Sequence, residues 1–507
     1  MRSKKALYNL ISSLFLQVIV IIYSFIVPKI IISNYGSDVN GLVTSITKFL
    51  SYIALFEAGF GGIVQYLLYK PIANKDKNEI DNILVASQGF FKNLSRFFIF
   101  YILVLCIVYP IIVNTSFDSL FTISLIIIIA INTFAEYYFG LIYKIYLLAN
   151  QRKYVVSIIA IITYVLNIVA IVIMSHLNVS IQILKLVSKL IFVLRPICQN
   201  IYVRKRYNIN INIKNNHSNY KIVQKWDALI QHIASVIHGS TDVTLLTIFC
   251  KISEVSVYSV YYMVVSGIKT IVSIFLDSIN SIFGDIIAKN EKENLKRKFN
   301  MIESTYHTLI VILFSVTLIL ITPFISIYTK NITDANYIRW TFGYLIVISE
   351  LIWAIRLPYS TITLSAGHYK QTRLGAVIEC VSNIVISLLL IKKYGIIGVT
   401  IGTIVAMFIR TCEFVYHSNK YILKRSMYQS IFKIILLCIE VLIYVILSKY
   451  IIFFENINYT NWILNAIIIT SIISIITIII NLFFYAKDYK ELINIFKNAI
   501  KKKERLN

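Results

Sequence analysis

The sequence has little charge for its length. Of its 507 residues only 14% are Asp, Glu, Lys or Arg, whereas soluble domains contain about 25%. The charge present is unbalanced, because 49 basic residues face 24 acidic ones and the formal net charge is +25. This composition excludes a soluble globular enzyme, a disordered chain and a fibrous one.

Residues that mark redox or metal sites are also sparse. The six cysteines lack CxxC spacing and lie in or at the ends of apolar segments, so we expect them to be small buried hydrophobic residues. Among the seven histidines, His232 and His238 are six residues apart and so fall on different helix faces. The sequence predicts no cofactor and no metal beyond a transported cation.

Long apolar stretches are abundant instead. Apolar residues make up 58% of the chain, and stretches such as 463–484 run for about twenty residues without interruption. A transmembrane helix needs about 20 such residues, so the supply is enough for about 14 spans. Strands of a membrane barrel would alternate apolar and polar residues, which these stretches do not do. The fold class predicted is an all-α integral membrane protein.

The apolar stretches define fourteen predicted spans. The first is too long for a signal-peptide core and is not followed by a small-residue cleavage site. The spans are 7–32, 39–69, 94–114, 119–148, 154–175, 178–203, 222–249, 254–288, 302–328, 337–365, 370–391, 396–418, 430–453 and 461–485.

Orientation follows from the loop charges. Lys and Arg are concentrated in every second connection, starting with the segment before the first span, and the intervening connections contain few. Because cytoplasmic loops retain positive charge, both termini are predicted to be cytoplasmic. A nucleic-acid-binding protein would carry its basic charge on a soluble module, and no connection is long enough to form one.

The longest connection divides the predicted spans into groups. It begins with Arg204, Lys205 and Arg206, continues with an Asn-rich stretch, and follows the sixth span. Two six-helix lobes of the same orientation indicate a parallel repeat with a substrate cavity between the lobes. The predicted organisation is an N-terminal lobe (1–203), a cytoplasmic linker (204–221), a C-terminal lobe (222–418), two additional helices (430–485) and a basic cytoplasmic tail (486–507).

Three groups of short motifs resemble one family. The motifs are GLV at 41–43, AGFG at 58–61 and LYKPIA at 68–73; TDVTLL at 241–246, VYSVY at 257–261 and FG at 283–284; and LPY at 357–359, AGHYK at 366–370, Asn383 and YGIIG at 394–398. Their order and spacing resemble the Wzx-like polysaccharide flippases of the multidrug/oligosaccharidyl-lipid/polysaccharide (MOP) exporter superfamily.

The resemblance implies a function and a location. It implies a flippase that moves a polyprenyl-diphosphate-linked oligosaccharide from the inner to the outer leaflet of a bacterial plasma membrane, for capsule or O-antigen synthesis. The implied partners are this lipid-linked substrate, membrane lipids and glycan polymerase machinery.

Six cations within the predicted spans are candidate ligands of the substrate diphosphate. A charge near the bilayer centre costs at least about 2.5–3.5 kcal/mol, so each should face a cavity or a partner. Lys185 and Lys189 are four residues apart and share a helix face. Ammonium and guanidinium groups can neutralise the diphosphate. The candidates are Lys48, Lys185, Lys189, Arg195, Lys269 and Arg356.

The alternative is that some of these cations snorkel to the membrane surface or pair with acids. Arg410 and Glu413 are three residues apart and form a predicted pair, and Glu350 with Arg356 is a less clear one.

Oxygen-bearing residues of the C-terminal lobe are candidates for coupling-ion binding. Asp242, Asn383, Thr400 and Thr403 are predicted at similar depth, and Glu379 lies one turn inward of Asn383. Oxygen ligands suit Na⁺, and a buried carboxylate could carry H⁺ instead. The resemblance implies a cation site between these helices, which includes Asp242. The alternative is a hydrogen-bonded cluster that holds the helices together.

Other functions fit the residues less well. A drug or cation exporter of the same fold would need buried acids where this chain has Lys and Arg. A lipid II-type flippase is a closer alternative, but the order of the motifs resembles the polysaccharide branch more. A membrane glycan polymerase or glycosyltransferase would need an extramembrane catalytic loop with paired acids or a general base, and the outer loops are too short. The sequence therefore predicts a transporter and not an enzyme.

Overall fold

The computed structural model describes residues 2–57, 59–113, 117–207, 226–289, 291–451 and 458–494. These residues form helices and turns, and no β-strand occurs among them. Seventeen α-helices are present there: α1 Arg2–Tyr35, α2 Ser37–Ser51, α3 Ala54–Glu57, α4 Phe60–Asn74, α5 Lys77–Ile112, α6 Ser119–Ala135, α7 Leu141–Ala149, α8 Lys153–His176, α9 Ile181–Tyr207, α10 Trp226–Phe249, α11 Ile252–Ala288, α12 Lys292–Tyr328, α13 Trp340–Ser365, α14 Arg373–Tyr394, α15 Ile396–His417, α16 Met427–Ile451 and α17 Tyr459–Phe484.

The all-α membrane fold predicted from the sequence is confirmed. Twelve helical segments in the described part of the chain are long and apolar enough to cross a membrane. Two further long helices, α9 with 27 residues and α10 with 24, cover the predicted sixth and seventh spans. Helix α9 is less apolar because it contains Lys185, Lys189 and Arg195. The long helices thus agree with the prediction of about fourteen spans.

The second predicted span, 39–69, is not a single helix. It is divided into α2, α3 and α4, and the last break lies at Gly59, whose φ is +70°. A residue in this left-handed region interrupts an α-helix, and glycine adopts it without the steric cost that a Cβ imposes.

The first compact unit comprises Met1–Ser259 and Ile332–Ala335. In it α8 packs between α1 and α9, α9 also packs on α6, and α2 packs on α10. A short π-helical segment, Glu136–Gly140, joins α6 to α7 and lies against α9. A Cβ on Gly140 would lie 2.1 Å from Cβ of Pro196, so the contact with α9 requires glycine.

The second compact unit comprises Val260–Asn331 and Asn336–Asn507. Helix α15 packs on both α13 and α14, and α12 packs on α13, α16 and α17. A second π-helical segment, Ser418–Leu423, follows α15.

The two units are divided within α11, between Ser259 and Val260. The six-helix lobes (1–203 and 222–418) and the two additional helices stay a prediction. Residues 208–225, most of the predicted linker, lie outside the described residues, as do residues 495–507 of the predicted basic tail.

Candidate functional site

Helix α9 carries two buried lysines on one face. Lys185 is 8% exposed, and Lys189, one turn later, is half-buried. Within the described residues neither side chain has a hydrogen bond or an ion pair, and the charge of each ammonium group acts on its cationic neighbours along α9. The sequence predicted the shared face, and the structure adds that no described carboxylate pairs with it.

Arg195 lies further along the same helix in an aromatic setting. Its guanidinium carbon is 4.1 Å from the ring centroids of both Tyr164 and Phe192. Its Nε donates a hydrogen bond of 2.6 Å to Oγ1 of Thr163. Its Nη2 is buried without a hydrogen-bond partner among the described residues. The guanidinium is therefore held in place by two aromatic rings and a hydroxyl group, and its Nη2 can still donate hydrogen bonds to a ligand.

Among the residues that the structure describes, no carboxylate pairs with these three cations, so positive charge is locally in excess along α9. Two ammonium groups one helical turn apart, at about 6 Å, repel by about 3 kcal/mol at an effective dielectric constant of about 20. A bound anion would remove that repulsion and satisfy the free donors. The arrangement is suited to binding an anion with several oxygen atoms, such as a phosphate or diphosphate.

Lys48 belongs to the same unit but has a different environment. Its Nζ donates a hydrogen bond of 3.1 Å to the carbonyl oxygen of Gly239 on α10. Helices α2 and α10 pack together there, so this lysine joins two helices through a neutral acceptor.

Lys269 and Arg356, the candidates of the second unit, are paired with acids. Lys269 Nζ lies 2.7 Å from Glu350 Oε2 and 4.4 Å from the centroid of the Trp353 ring. Arg356 Nη1 lies 2.5 Å from Glu379 Oε1. The pairing of Glu350 with Arg356 suggested by the sequence is not the one observed, because each group finds its partner on another helix.

Arg410 extends this ion-pair network in the second unit. It pairs with Glu413 three residues later, as predicted, and its Nε lies 3.6 Å from Glu379 Oε2. It also donates a hydrogen bond of 2.7 Å to the carbonyl oxygen of Thr372. Glu379 is thus held between two guanidinium groups, which satisfies its charge without a metal ion.

The other candidates for coupling-ion binding divide between the two units. Asp242 is buried in the first unit and accepts a hydrogen bond of 2.9 Å from the Tyr258 hydroxyl. In the second unit Asn383 Nδ2 donates to Thr403 Oγ1 at 2.9 Å, which links α14 to α15. Thr400 donates to the carbonyl oxygen of Ile396.

One hydrogen-bond acceptor among these candidate residues is not satisfied by the described part of the chain. Oδ1 of Asn383 is buried without a hydrogen-bond partner among the described residues. Buried polar atoms are usually satisfied, so this oxygen is a candidate acceptor for a cation, a proton donor or a water molecule.

A buried charge cluster in the second unit was not predicted from the sequence. Glu303 Oε1 lies 2.6 Å from Arg425 Nη2, and Glu303 Oε2 lies 3.0 Å from Lys433 Nζ. The same Lys433 Nζ lies 3.1 Å from Asp488 Oδ2, and the Tyr359 hydroxyl donates to Glu303 at 2.6 Å. The available signal was the presence of Glu303 and Lys433 inside predicted spans, where charged residues seldom occur without a partner.

Comparisons with known proteins give structural likenesses only. No protein-family model and no curated protein matches the sequence. The structure of the lipid II flippase MurJ in an inward closed conformation matches with a TM-score of 0.69 and 16% identity, covering 94% of this chain and 99% of that one. An inward-facing multidrug resistance MATE family transporter of the MOP superfamily matches with a TM-score of 0.60 and 12% identity, over 78% and 94%.

A third likeness is to the MATE multidrug transporter DinF-BH. Its TM-score is 0.59 and its identity 13%, with 82% of this chain and 95% of that one covered. At identities this low, the structural likeness shows the fold and does not show the substrate or the family. The protein is therefore a multi-pass all-α membrane protein with the fold that these flippase and transporter structures of the MOP superfamily share.

Proposed function

We propose that the protein moves a polyprenyl-diphosphate-linked oligosaccharide from the cytoplasmic to the outer leaflet by alternating access, for capsule or O-antigen synthesis. The observation that carries the proposal is the pair of a buried Lys185 and a half-buried Lys189, neither of which has a carboxylate partner among the described residues. An unpaired buried cation is costly in a membrane protein unless a ligand neutralises it.

The chemistry of the first unit matches a diphosphate. The two ammonium groups of α9 provide charge, and Arg195 adds a planar donor whose Nη2 is free. Lys48 could exchange its carbonyl acceptor for a phosphate oxygen. The oligosaccharide would stay in water, while the polyprenyl chain would remain in the hydrocarbon of the bilayer and so avoid the cost of exposing its apolar surface to water.

Lys269 and Arg356 fit this role less directly. Each would have to leave a carboxylate before it could bind a phosphate. We therefore assign the diphosphate primarily to the first unit, and treat these two residues as later contacts in the transport cycle.

An ion gradient would drive the cycle, with Na⁺ or H⁺ bound at Asp242. The Asp242 carboxylate is buried and accepts a hydrogen bond from the Tyr258 hydroxyl, and carboxylate oxygens are the ligand type that suits a hard cation or a proton. Asn383, Thr400, Thr403 and Glu379 of the second unit remain separate candidates for binding the coupling ion. The hydrogen bond between Asn383 and Thr403 also fits a purely structural role.

A lipid II-type flippase is the second candidate. It is favoured by the coverage of the MurJ structure, which matches 94% of this chain, against 78% and 82% for the two MATE transporters. A drug or cation exporter is less compatible with the residues, since organic cations call for buried acids and α9 has unpaired cations. A glycan polymerase would act downstream and receive the flipped product.

The deciding experiment is depletion of the protein in its host. Polyprenyl-diphosphate-linked oligosaccharide is then quantified in each leaflet, by its accessibility to an enzyme added outside intact cells. Accumulation of surface-polysaccharide precursors inside supports the proposal, and accumulation of lipid II inside supports the second candidate. Accumulation outside would revive the polymerase hypothesis, and unchanged pools would contradict both flippase assignments.

A further inference from the structure

Helices α12, α16 and α17 of the second unit enclose a polar seam. Five residues of α17 are buried, and three of them are polar: Asn465, Thr477 and Asn481. Two hydrogen bonds tie this face to its neighbours. Thr477 Oγ1 lies 2.9 Å from the Tyr444 hydroxyl on α16, and Asn481 Nδ2 donates to Thr308 Oγ1 on α12 at 3.0 Å.

Glu440 lies on α16 within this seam. It is 3% exposed, and its Oε2 has no hydrogen-bond partner among the described residues. It lies one turn before Tyr444 and two turns after Lys433, which are axial distances of about 6 Å and about 10.5 Å. Among the described residues no cation pairs with this carboxyl group, and the neighbouring Tyr444 interacts with it electrostatically.

The neighbouring cations are engaged elsewhere. Lys433 lies between Glu303 Oε2 at 3.0 Å and Asp488 Oδ2 at 3.1 Å, and Arg425 is bound to Glu303. These two cations and two carboxylates balance one another, so neither Lys433 nor Arg425 is available to neutralise Glu440. An unpaired carboxylate at this position is costly, and uptake of a proton removes that cost.

Other ionisable groups face the seam from each helix. On α12, His307 is 2% exposed, and both of its ring nitrogens lack a hydrogen-bond partner among the described residues. Its charged neighbours are Glu303, Lys433 and Arg425. The imidazole is therefore a second buried group that can accept or donate a proton.

Two tyrosines beyond the end of α17 complete the surroundings of Glu440. Tyr485 follows α17 directly, is buried, and lies close enough to Glu440 for the two groups to interact electrostatically. Burial raises the pKa of Tyr489, which is also within electrostatic range of Glu440 and whose hydroxyl lies 2.6 Å from Thr308 Oγ1. Both phenols therefore stay neutral and can relay protons without becoming charged.

A cavity of about 470 Å³ leads to this region. Its lining includes Asn300 at the start of the seam, Lys433 and Asp488 of the balanced ion cluster, and Tyr485. By the loop-charge prediction it opens on the cytoplasmic side. Water in this cavity can contact Lys433, two turns before Glu440 on α16, and Tyr485, which lies within electrostatic range of Glu440.

We infer that Glu440 is a proton-binding site that exchanges its proton with water through this cavity. The site is distinct from Asp242, and the inference does not depend on which substrate is transported. That the proton of Glu440 is used in the transport cycle is a second statement, and it rests on the proposed function.

Infrared difference spectroscopy of the purified full-length protein tests the site. At pH 7 the spectrum of the wild type minus that of Glu440→Gln should contain the carbonyl band of a protonated carboxylic acid, and the band should shift in D₂O as the proton exchanges. The matched control, Glu293→Gln, removes an exposed carboxylate on α12 and should remove only an ionised-carboxylate band. A difference spectrum with only ionised carboxylate at position 440, or a band that never shifts in D₂O, would overturn the inference.

Glutamine has nearly the shape of a protonated glutamate, so the variant should fold, and an unchanged unfolding midpoint will show this. Flipping assays in proteoliposomes then test the coupling. A pH dependence of transport that flattens in Glu440→Gln supports the coupling, and an unchanged dependence refutes it. Absence of transport by the wild type would count against the proposed function alone, since the infrared result involves no substrate.

Discussion

Removing the charge of the α9 lysine pair should have opposite effects on stability and on anion binding. The double variant Lys185→Met with Lys189→Met keeps most of each aliphatic side chain and deletes only the ammonium groups. Since no described carboxylate pairs with either lysine, nothing is left unpaired when the charges are removed. The repulsion of about 3 kcal/mol between two ammonium groups one turn apart also disappears.

The two effects can be given magnitudes. The substrate-free variant should be more stable to unfolding than the wild type, by up to about 3 kcal/mol. Each lost charge-assisted hydrogen bond to a phosphate weakens binding by about 1.5–3 kcal/mol. Two such losses predict a dissociation constant raised by about 10²–10⁴-fold.

Titration calorimetry in nanodiscs with a short-chain prenyl diphosphate measures the binding, and thermal unfolding in the same preparation measures the stability. The double variant Lys185→Arg with Lys189→Arg should keep part of the affinity, because the charge is kept. Lys205→Met is the matched control, since it removes an exposed cation near the end of the same helix. A fall in stability with unchanged affinity would refute the reasoning and assign the lysines to packing.

Three further substitutions test other parts of the structure. Glu303→Gln leaves two buried cations without their carboxylate and should destabilise the protein by about 3–5 kcal/mol, measured by unfolding in detergent; a change below about 1 kcal/mol would contradict the buried cluster. Gly140→Ala should cost about 1–3 kcal/mol, because the new Cβ would meet Pro196 at 2.1 Å, and a wild-type unfolding midpoint would argue against that close packing. Asp242→Asn should flatten the dependence of flipping on Na⁺ or pH in proteoliposomes, and an unchanged dependence would discard it as the coupling site.

Some ion pairs could be anticipated from the sequence and others could not. Arg410 and Glu413 are three residues apart on one helix, so local geometry alone brings them together. Glu350 and Arg356 are six apart and lie on different faces of α13. Their actual partners, Lys269 and Glu379, come from α11 and α14, and no local rule selects them.

The helix boundaries of the second predicted span were also predicted only in part. The apolar content of 39–69 indicates a membrane span, and that is a property of composition. The break between α3 and α4 depends on the backbone at Gly59, which has the left-handed conformation that glycine tolerates. The motif at 58–61 contains two glycines, and such a glycine-rich stretch inside an apolar span is the sequence feature that indicates a helix break.

The sequence by itself determined the class of this protein, which is an all-α membrane protein with about fourteen long helices. This follows because hydropathy and helix length are local properties that the solvent enforces wherever the helix is placed. It also placed Lys185 and Lys189 on one face, since the helical period is fixed. Only the tertiary structure decided which buried charges are neutralised. It leaves the α9 lysines without carboxylate partners among the described residues. It also brings together one balanced cluster of two cations and two carboxylates: Glu303, Arg425, Lys433 and Asp488. Neutralisation depends on which helices pack together, and packing is a property of the whole chain.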